Sequence, residues 1–188
     1  MKKRHKKKPK PLDYLDIEIT LQEQRWMKVI PSYDEIVSNL AQRTLKIALA
    51  DNLKSTLELS IVLANDEFIQ KLNHIHRNKD QPTNVLAFPN LEDAQLALDT
   101  QSEVQPSLSL GDVVLAIETL EKEALLQHKS LIDHFSHLLV HGILHLLGFD
   151  HQTQTQADAM ETLEIKILHS QGIKNPYALT NQTEEDTL

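Results

Sequence analysis

The most informative stretch of this sequence is HGILHLLGFDH, residues 141–151. His141 and His145 are four residues apart, which places both imidazoles on one face of a helix, one turn apart. Gly148 follows, and a glycine at this point can adopt the left-handed conformation that ends a helix and reverses the chain. We therefore expect the reversal to bring His151 back beside the other two histidines.

The spacing H-x-x-x-H-x-x-G-x-x-H is that of metzincin zinc sites, with one departure: Gly142 stands where a glutamate normally follows the first histidine. Three imidazoles without a fourth side-chain ligand leave one coordination position open for water, which is typical of catalytic zinc. We predict that His141, His145 and His151 bind one Zn²⁺ ion. The same nitrogen donors would also accept nickel, cobalt or copper.

Other histidines lie near this motif in the sequence. His134 and His137 precede it on the same helix face, but a helix rises about 1.5 Å per residue and carries them away from an ion bound further along. We expect them to support the ligands or to pack in the core. His74 and His76 are weaker candidates for a fourth ligand.

Composition limits the class of protein. The chain has 188 residues, a net charge of −8 and no cysteine, which favours one disulfide-free domain and fits a reducing compartment. No apolar run is long enough for a membrane span, and no apolar signal core follows the basic start, so a cytoplasmic location is expected.

Charge is divided unevenly along the chain. Residues 1–10 contain seven of the 19 Lys and Arg residues and no acid, so the remainder carries twelve bases against 27 acids. Residues 1–11 are predicted to be a disordered basic tail that improves solubility or anchors the chain to RNA or an anionic membrane. Residues 12–175 are predicted to form one domain, and residues 176–188 an acidic tail.

Hydrophobic periodicity predicts the main elements between the tails. Strands are expected around Leu15–Leu21, Leu57–Leu63, Val85–Phe88 and Leu110–Ile117. Helices are expected after Pro31-Ser32, after Asn65-Asp66, and over 118–127, 130–147 and 154–171. Residues 90–107 are predicted to be a surface loop with some helical character at 91–98.

Arg77 is expected at the end of the second of these helices, beside a strand. From the residues alone, two roles are equally consistent with this position. The guanidinium could cap the last carbonyl groups of its helix, or it could bind an anionic group near the metal.

Three stretches of the sequence resemble the YbeY family of metal-dependent endoribonucleases, also described as rRNA maturation factors. The segment 141–151 is similar to the family's H-G-x-L-H-L-x-G-Y-D-H, with Phe149 where Tyr is common. The segment 77–89 is similar to R-x-K-D-x-P-T-N-V-L-S-F-P, with Ala87 in place of Ser. The segment 110–112 is similar to the family's L-G-D at the start of a strand.

The resemblance covers about residues 15–170 and implies an α+β fold, with a small mixed four-stranded sheet, about five helices and a zincin-like helix that carries the metal site. It implies cleavage of single-stranded RNA in 16S rRNA 3′-end maturation and in ribosome quality control, with the small ribosomal subunit and assembly factors as partners. The zinc ligands of the family correspond to His141, His145 and His151. Arg77 and His141 are the implied catalytic residues, which favours the anion-binding role of Arg77.

A mechanism consistent with these residues uses the ion to lower the pKa of water towards about 7. Zinc and Arg77 would then share the negative charge that develops on the phosphate. Gly142 removes the carboxylate base of the metalloproteases and would leave room for a bulky substrate. Asp150 or Asp112 could be the base, although Asp150 could equally orient a ligand histidine.

Two other functions share part of this pattern. A zinc peptidase has the same histidine spacing but needs the glutamate that Gly142 replaces. A ribosome-assembly factor that binds RNA, with a structural or vestigial metal site, is the alternative from a different class.

Overall fold

The computed structural model describes residues 15–49, 55–98 and 107–178, which contain four strands and seven helices in an α+β arrangement. The elements in chain order are β1 Leu15–Leu21, α1 Trp26–Val29, α2 Tyr33–Ala48, β2 Thr56–Ala64, α3 Asp66–Arg77, β3 Val85–Pro89, α4 Leu91–Leu98, β4 Ser107–Ala116, α5 Ile117–Leu126, α6 Leu131–Leu146 and α7 Gln154–His169. The basic tail at 1–11 and most of the acidic tail lie outside the described residues, so the domain limits stay predictions.

The strands form one mixed sheet in the order β1-β2-β4-β3. β1, β2 and β4 are parallel, and β3 pairs with β4 in the antiparallel direction at one edge. The register places Leu63 opposite Leu115 and Val85 opposite the same Leu115. The sheet therefore agrees with the expected small four-stranded mixed sheet.

Both faces of the sheet are covered, because the strands alternate or run continuously apolar. One face carries Leu59, Ile61 and Leu63 of β2 and belongs to the main core, to which α2, α6 and α7 also contribute. A smaller cluster on the other face joins Leu86 and Val114 to Ile69 of α3. This arrangement puts α6, the helix of the histidines, directly against the sheet.

The predicted number of about five helices is too low, because the described chain has seven. Helix α1 is a single turn, too short to show periodicity in the sequence, and it buries Trp26 completely. The Trp26 indole N–H donates to the carbonyl oxygen of Ala64 at 2.9 Å. Helix α4 lies where some helical character was expected, and Asp93 on it accepts a hydrogen bond from the Ser109 backbone N–H at 2.8 Å.

Helix α6 is the most buried helix of the fold, as its apolar sequence predicts. It begins at the Ser130 cap, whose hydroxyl accepts from the Asp133 N–H at 3.0 Å. None of the helices in the described ranges is long and apolar enough to cross a membrane.

Candidate metal centre

The three predicted metal ligands lie together at the end of α6. The Nε2 atoms of His141 and His145 are 3.0 Å apart. The His151 ring centroid lies 5.4 Å from that of His141 and 5.1 Å from that of His145. One nitrogen from each residue can be chosen so that all three lie within 4.8 Å of one another. The chain reversal after α6 therefore brings His151 beside the helix, as expected.

The hydrogen bonds of the two helical histidines determine which nitrogen faces the centre. The Nδ1–H of His145 donates to the carbonyl oxygen of Phe149 at 2.8 Å, and the Nδ1–H of His141 donates to Oε1 of Glu164 at 2.8 Å. Neither acceptor can donate a proton in return. In the neutral rings, both Nε2 atoms therefore carry lone pairs that face each other.

Two opposed lone pairs at 3.0 Å repel each other unless a cation lies between them. Imidazole nitrogens bind zinc at about 2.0–2.1 Å, so this pair is close enough to share one ion. The donor set thus fits a transition-metal ion such as zinc, nickel or copper.

Burial keeps His145 in the neutral form that a ligand requires. Burial lowers the pKa of His145, and the neighbouring His141 lowers it further, against the opposite effect of the Phe149 carbonyl. A depressed pKa means that the ring is unprotonated at neutral pH and can donate its lone pair to a metal.

The reversal after α6 is a Schellman motif centred on Gly148. The N–H of Phe149 donates to the carbonyl oxygen of Leu144 at 3.1 Å, and the N–H of Gly148 donates to the carbonyl oxygen of His145 at 3.0 Å. Gly148 itself has φ = +84°, in the left-handed region. This turn aims the Phe149 carbonyl at the imidazole of His145. The same glycine therefore ends the helix, fixes the ring of one predicted ligand and returns the chain to His151.

A buried carboxylate on α7 supports the centre, and the sequence analysis did not identify it. Glu164 is fully buried, and its Oε2 accepts hydrogen bonds from His137 Nε2 at 2.9 Å and from the Tyr177 hydroxyl. Burial alone would raise the pKa of Glu164, but the hydrogen bonds from His137 and His141 outweigh it and lower the pKa to about 2. The group is therefore a carboxylate that can only accept.

A signal for Glu164 was nonetheless present in the sequence. Met160, Glu164 and Ile167 follow one another at helical spacing, so an acid interrupts the apolar stripe of α7. A charge on a core-facing stripe indicates a buried partner. Tyr177 carried no such signal because it lies beyond the last helix.

The other upstream histidine, His134, belongs to a separate pair. Its Nε2 donates to Oε2 of Glu123 at 2.8 Å, and the same carboxylate accepts from Asn84 at 2.9 Å. Both His134 and His137 therefore lie outside the ligand set and are bonded to acids, in agreement with the expectation that they support or pack.

A cleft of about 400 Å³ opens at the three histidines. Arg77, at the last residue of α3, lines it together with Asn84 and residues of β3. Asn78 ends α3 in the left-handed conformation, and Asn73 Nδ2 donates to the Gln81 carbonyl at 2.8 Å, which holds the turn after Arg77. Within the residues that the structure describes, no acid pairs with the Arg77 guanidinium, which is exposed to the cleft.

The structure separates the two residues predicted as a possible base, Asp150 and Asp112. Asp150 lines the cleft, and its Oδ1 accepts from the His151 backbone N–H at 2.8 Å. Asp112 does not line it, because Val113 faces α6 and adjacent strand residues point to opposite faces. His74 and His76 are not part of the described histidine groups that could hold an ion. A base role for Asp112 is therefore not supported.

Gly142 was expected to leave room for a substrate, and the structure places it against side chains of the sheet. A Cβ at this position would lie 2.6 Å from Cγ1 of Val113 and 3.4 Å from Cγ2 of Val85. Its missing side chain therefore allows α6 to approach the sheet closely, rather than only leaving room for a substrate.

Comparison with known proteins shows the family to which the chain belongs. The model of the YbeY family, described as Endoribonuclease YbeY, matches residues 20–172. The Endoribonuclease YbeY of Paramagnetospirillum magneticum is 43% identical over 165 residues, which cover 87% of this chain and 96% of that protein. The protein of the same name from Parvibaculum lavamentivorans is 42% identical over 176 residues, covering 94% of this chain and 92% of the relative.

A solved structure shows the same fold at lower sequence similarity. The solution structure of TM1509 from Thermotoga maritima has a TM-score of 0.50 and 19% identity, and the match covers 84% of this chain and 92% of that one. The curated relatives are named as endoribonucleases, which are enzymes that hydrolyse phosphodiester bonds within RNA. The chain belongs to the YbeY family.

Proposed function

We propose that this chain is a zinc-dependent endoribonuclease that cleaves single-stranded RNA. The observation that carries the proposal is the convergence of three imidazoles and one unpaired arginine on a single cleft, among the residues that the structure describes. The names of the relatives at about 40% identity support the choice of RNA as the substrate.

We further propose that the biological substrate is rRNA, with 16S rRNA 3′-end maturation and ribosome quality control in the cytoplasm as the setting. The small ribosomal subunit and its assembly factors are then the partners. This part of the proposal rests on the resemblance of the three motifs to the family.

Metal binding and phosphate binding are assigned to different residues of the chain. His141, His145 and His151 would hold the ion, which when bound supplies Lewis-acid chemistry for activating water and for stabilising charge. Arg77 binds a phosphate of the RNA through its guanidinium, with two parallel hydrogen bonds to non-bridging oxygens. These bonds strengthen as negative charge develops in the transition state.

Asp150 is the carboxylate in the cleft that could take a proton from the attacking water. Its Oδ1 already accepts from the His151 backbone N–H, so it also helps to orient the last ligand. The proposed preference for single-stranded RNA rests on the resemblance of the three motifs to the family.

The test is cleavage of a single-stranded RNA and of its duplex form, together with the metal content of each protein. Arg77→Ala should retain one ion per chain and the wild-type fold but lose about 10²–10³-fold in cleavage rate, as expected when a charge-stabilising group is removed. His145→Ala should lose both the ion and the cleavage.

Arg43→Ala is the matched control, since the Arg43 guanidinium bonds to Ser170 Oγ at 2.7 Å and does not line the cleft. A wild-type protein that holds zinc but cleaves RNA no faster than His145→Ala would refute the nuclease proposal. A precursor of 16S rRNA that is left uncut, while other single strands are cleaved, would refute only the proposed rRNA substrate.

A further inference from the structure

A group of buried polar side chains lies behind His141, on α6 and α7 and in the segment that follows. We call Glu164, His137 and Tyr177 the carboxylate cluster. Glu164 is fully buried and makes three hydrogen bonds: Oε1 accepts from His141, and Oε2 accepts from His137 and Tyr177. The His137 and Tyr177 rings also contact each other edge to face, with centroids 5.3 Å apart.

This cluster controls which nitrogen of His141 is free. As long as Glu164 accepts at 2.8 Å from Nδ1–H, the Nε2 lone pair faces the other two histidines. Without that acceptor, the ring could turn or take the tautomer with a proton on Nε2. A proton on Nε2 would exclude His141 from the ligand set.

Glu164 is held in turn by Tyr177, which comes from outside the helices. The hydroxyl of Tyr177 is the donor, because burial and the neighbouring carboxylate keep it protonated by raising its pKa. Its residue is 40% exposed, so the ring closes the cluster from the solvent side. Tyr177 also lies beyond residues 20–172, the span matched by the family.

We propose that Glu164 is a positioning residue for the metal centre and that Tyr177 locks it in place from the C-terminal segment. The inference rests on the metal site of the proposed function, and it adds two residues that set the metal affinity. Carboxylates that accept from a ligand histidine fix its orientation and raise its basicity, and their loss typically costs 10–100-fold in metal affinity.

The chain contains a second pair that serves as an internal control. Glu123 accepts from His134 Nε2 at 2.8 Å, which is also the distance at which Glu164 accepts from His141 Nδ1. Glu123 does not touch any of the three ligand histidines. Replacing this acid should therefore alter stability without altering the metal affinity.

The experiment measures zinc affinity by chelator competition and the visible spectrum of the Co²⁺-substituted protein, beside the melting temperature of each metal-free variant. Glu164→Gln should lower zinc affinity by about 10–100-fold and change the Co²⁺ spectrum, because the neutral amide has one accepting oxygen in place of two and holds His141 more weakly. Tyr177→Phe, which removes only the hydroxyl, should lower affinity by a smaller factor, of about ten or less. Glu123→Gln should bind zinc as the wild type does.

Several results would overturn the proposal. One such result is a wild-type zinc affinity and Co²⁺ spectrum in both Glu164→Gln and Tyr177→Phe. Another is a loss of zinc affinity in Glu123→Gln as large as that in Glu164→Gln. If Glu164→Gln does not fold, Tyr177→Phe decides the question alone. His137, His141 and Glu164 also have the spacing of a cation site, so two bound ions per wild-type chain would overturn it as well. A wild-type chain that binds no metal would instead refute the metal site of the proposed function.

Discussion

Gly142→Ala tests how closely α6 must approach the sheet. The added Cβ would lie 2.6 Å from Val113 Cγ1 and 3.2 Å from its Cγ2, whereas carbon atoms pack best at about 3.5–4.0 Å. Val113 is fully buried and branched at Cβ, so its methyl groups cannot rotate away freely. Overpacking of this kind costs about 1–3 kcal/mol, against a gain of about 0.5–1 kcal/mol from replacing glycine in a helix.

The net expectation is a loss of about 1–2 kcal/mol in the free energy of unfolding, which urea denaturation of the metal-free protein measures. Val113→Ala removes the obstructing methyl groups and provides the second arm of a double-mutant cycle. The double variant should be more stable than the sum of the single effects predicts, by about 1 kcal/mol. Additive effects, or a Gly142→Ala protein as stable as the wild type, would refute the argument from close packing.

Three further changes probe separate parts of the fold. The added methyl group of Gly148→Ala would meet no atom within 4 Å, but the alanine would have to keep φ near +84°. The variant should therefore lose about 1–2 kcal/mol in the free energy of unfolding. It should also bind zinc more weakly in a chelator titration, and unchanged binding would refute the role of the turn. Burial raises the pKa of Glu123, but hydrogen bonds from His134 and Asn84 outweigh it and lower the pKa below the ordinary carboxyl value of 4.5. The ionised Glu123 therefore stabilises the fold above pH 4.5, and this contribution is lost as the pH falls below that value. The difference in urea midpoint between wild type and Glu123→Gln should therefore shrink between neutral and acidic pH, and a constant difference would contradict this. Trp26→Phe removes the hydrogen bond to Ala64 and part of a buried ring, so it should lower the free energy of unfolding by about 2 kcal/mol, and a melting temperature equal to the wild type's would count against that.

The strands and long helices could be predicted because each buries one face. The sequence of β1 alternates over Leu15–Leu21, and its burial alternates over the first half of the strand. The continuous apolar run of β4 indicates a strand covered on both sides. The direction of β3 could not be predicted, since pairing with β4 depends on contacts distant in sequence. The four residues of α1 show no period, and their helix is stabilised by the burial of Trp26 rather than by local pattern.

The site shows the same division between local and distant information. The three histidines could be predicted from spacing, because one helix and one glycine turn determine their relative positions. Arg77 lies at the end of α3 and lines the cleft, and its anion-binding role stays a prediction. Glu164 and Tyr177 meet His141 only after α7 packs against α6, which no spacing within the motif encodes.

All three predicted nitrogen ligands come from eleven consecutive residues, while Arg77 precedes the first of them by 64 positions and reaches the cleft from another helix. A partly folded or truncated chain that retains α6 and its turn can therefore keep the nitrogen donors together without forming the cleft. Metal content in such a chain would report on a short segment and not on a competent enzyme. A purified preparation with one ion per chain should accordingly be assessed by the packing of β3 and α3 as well, since those elements bring the arginine to the cleft.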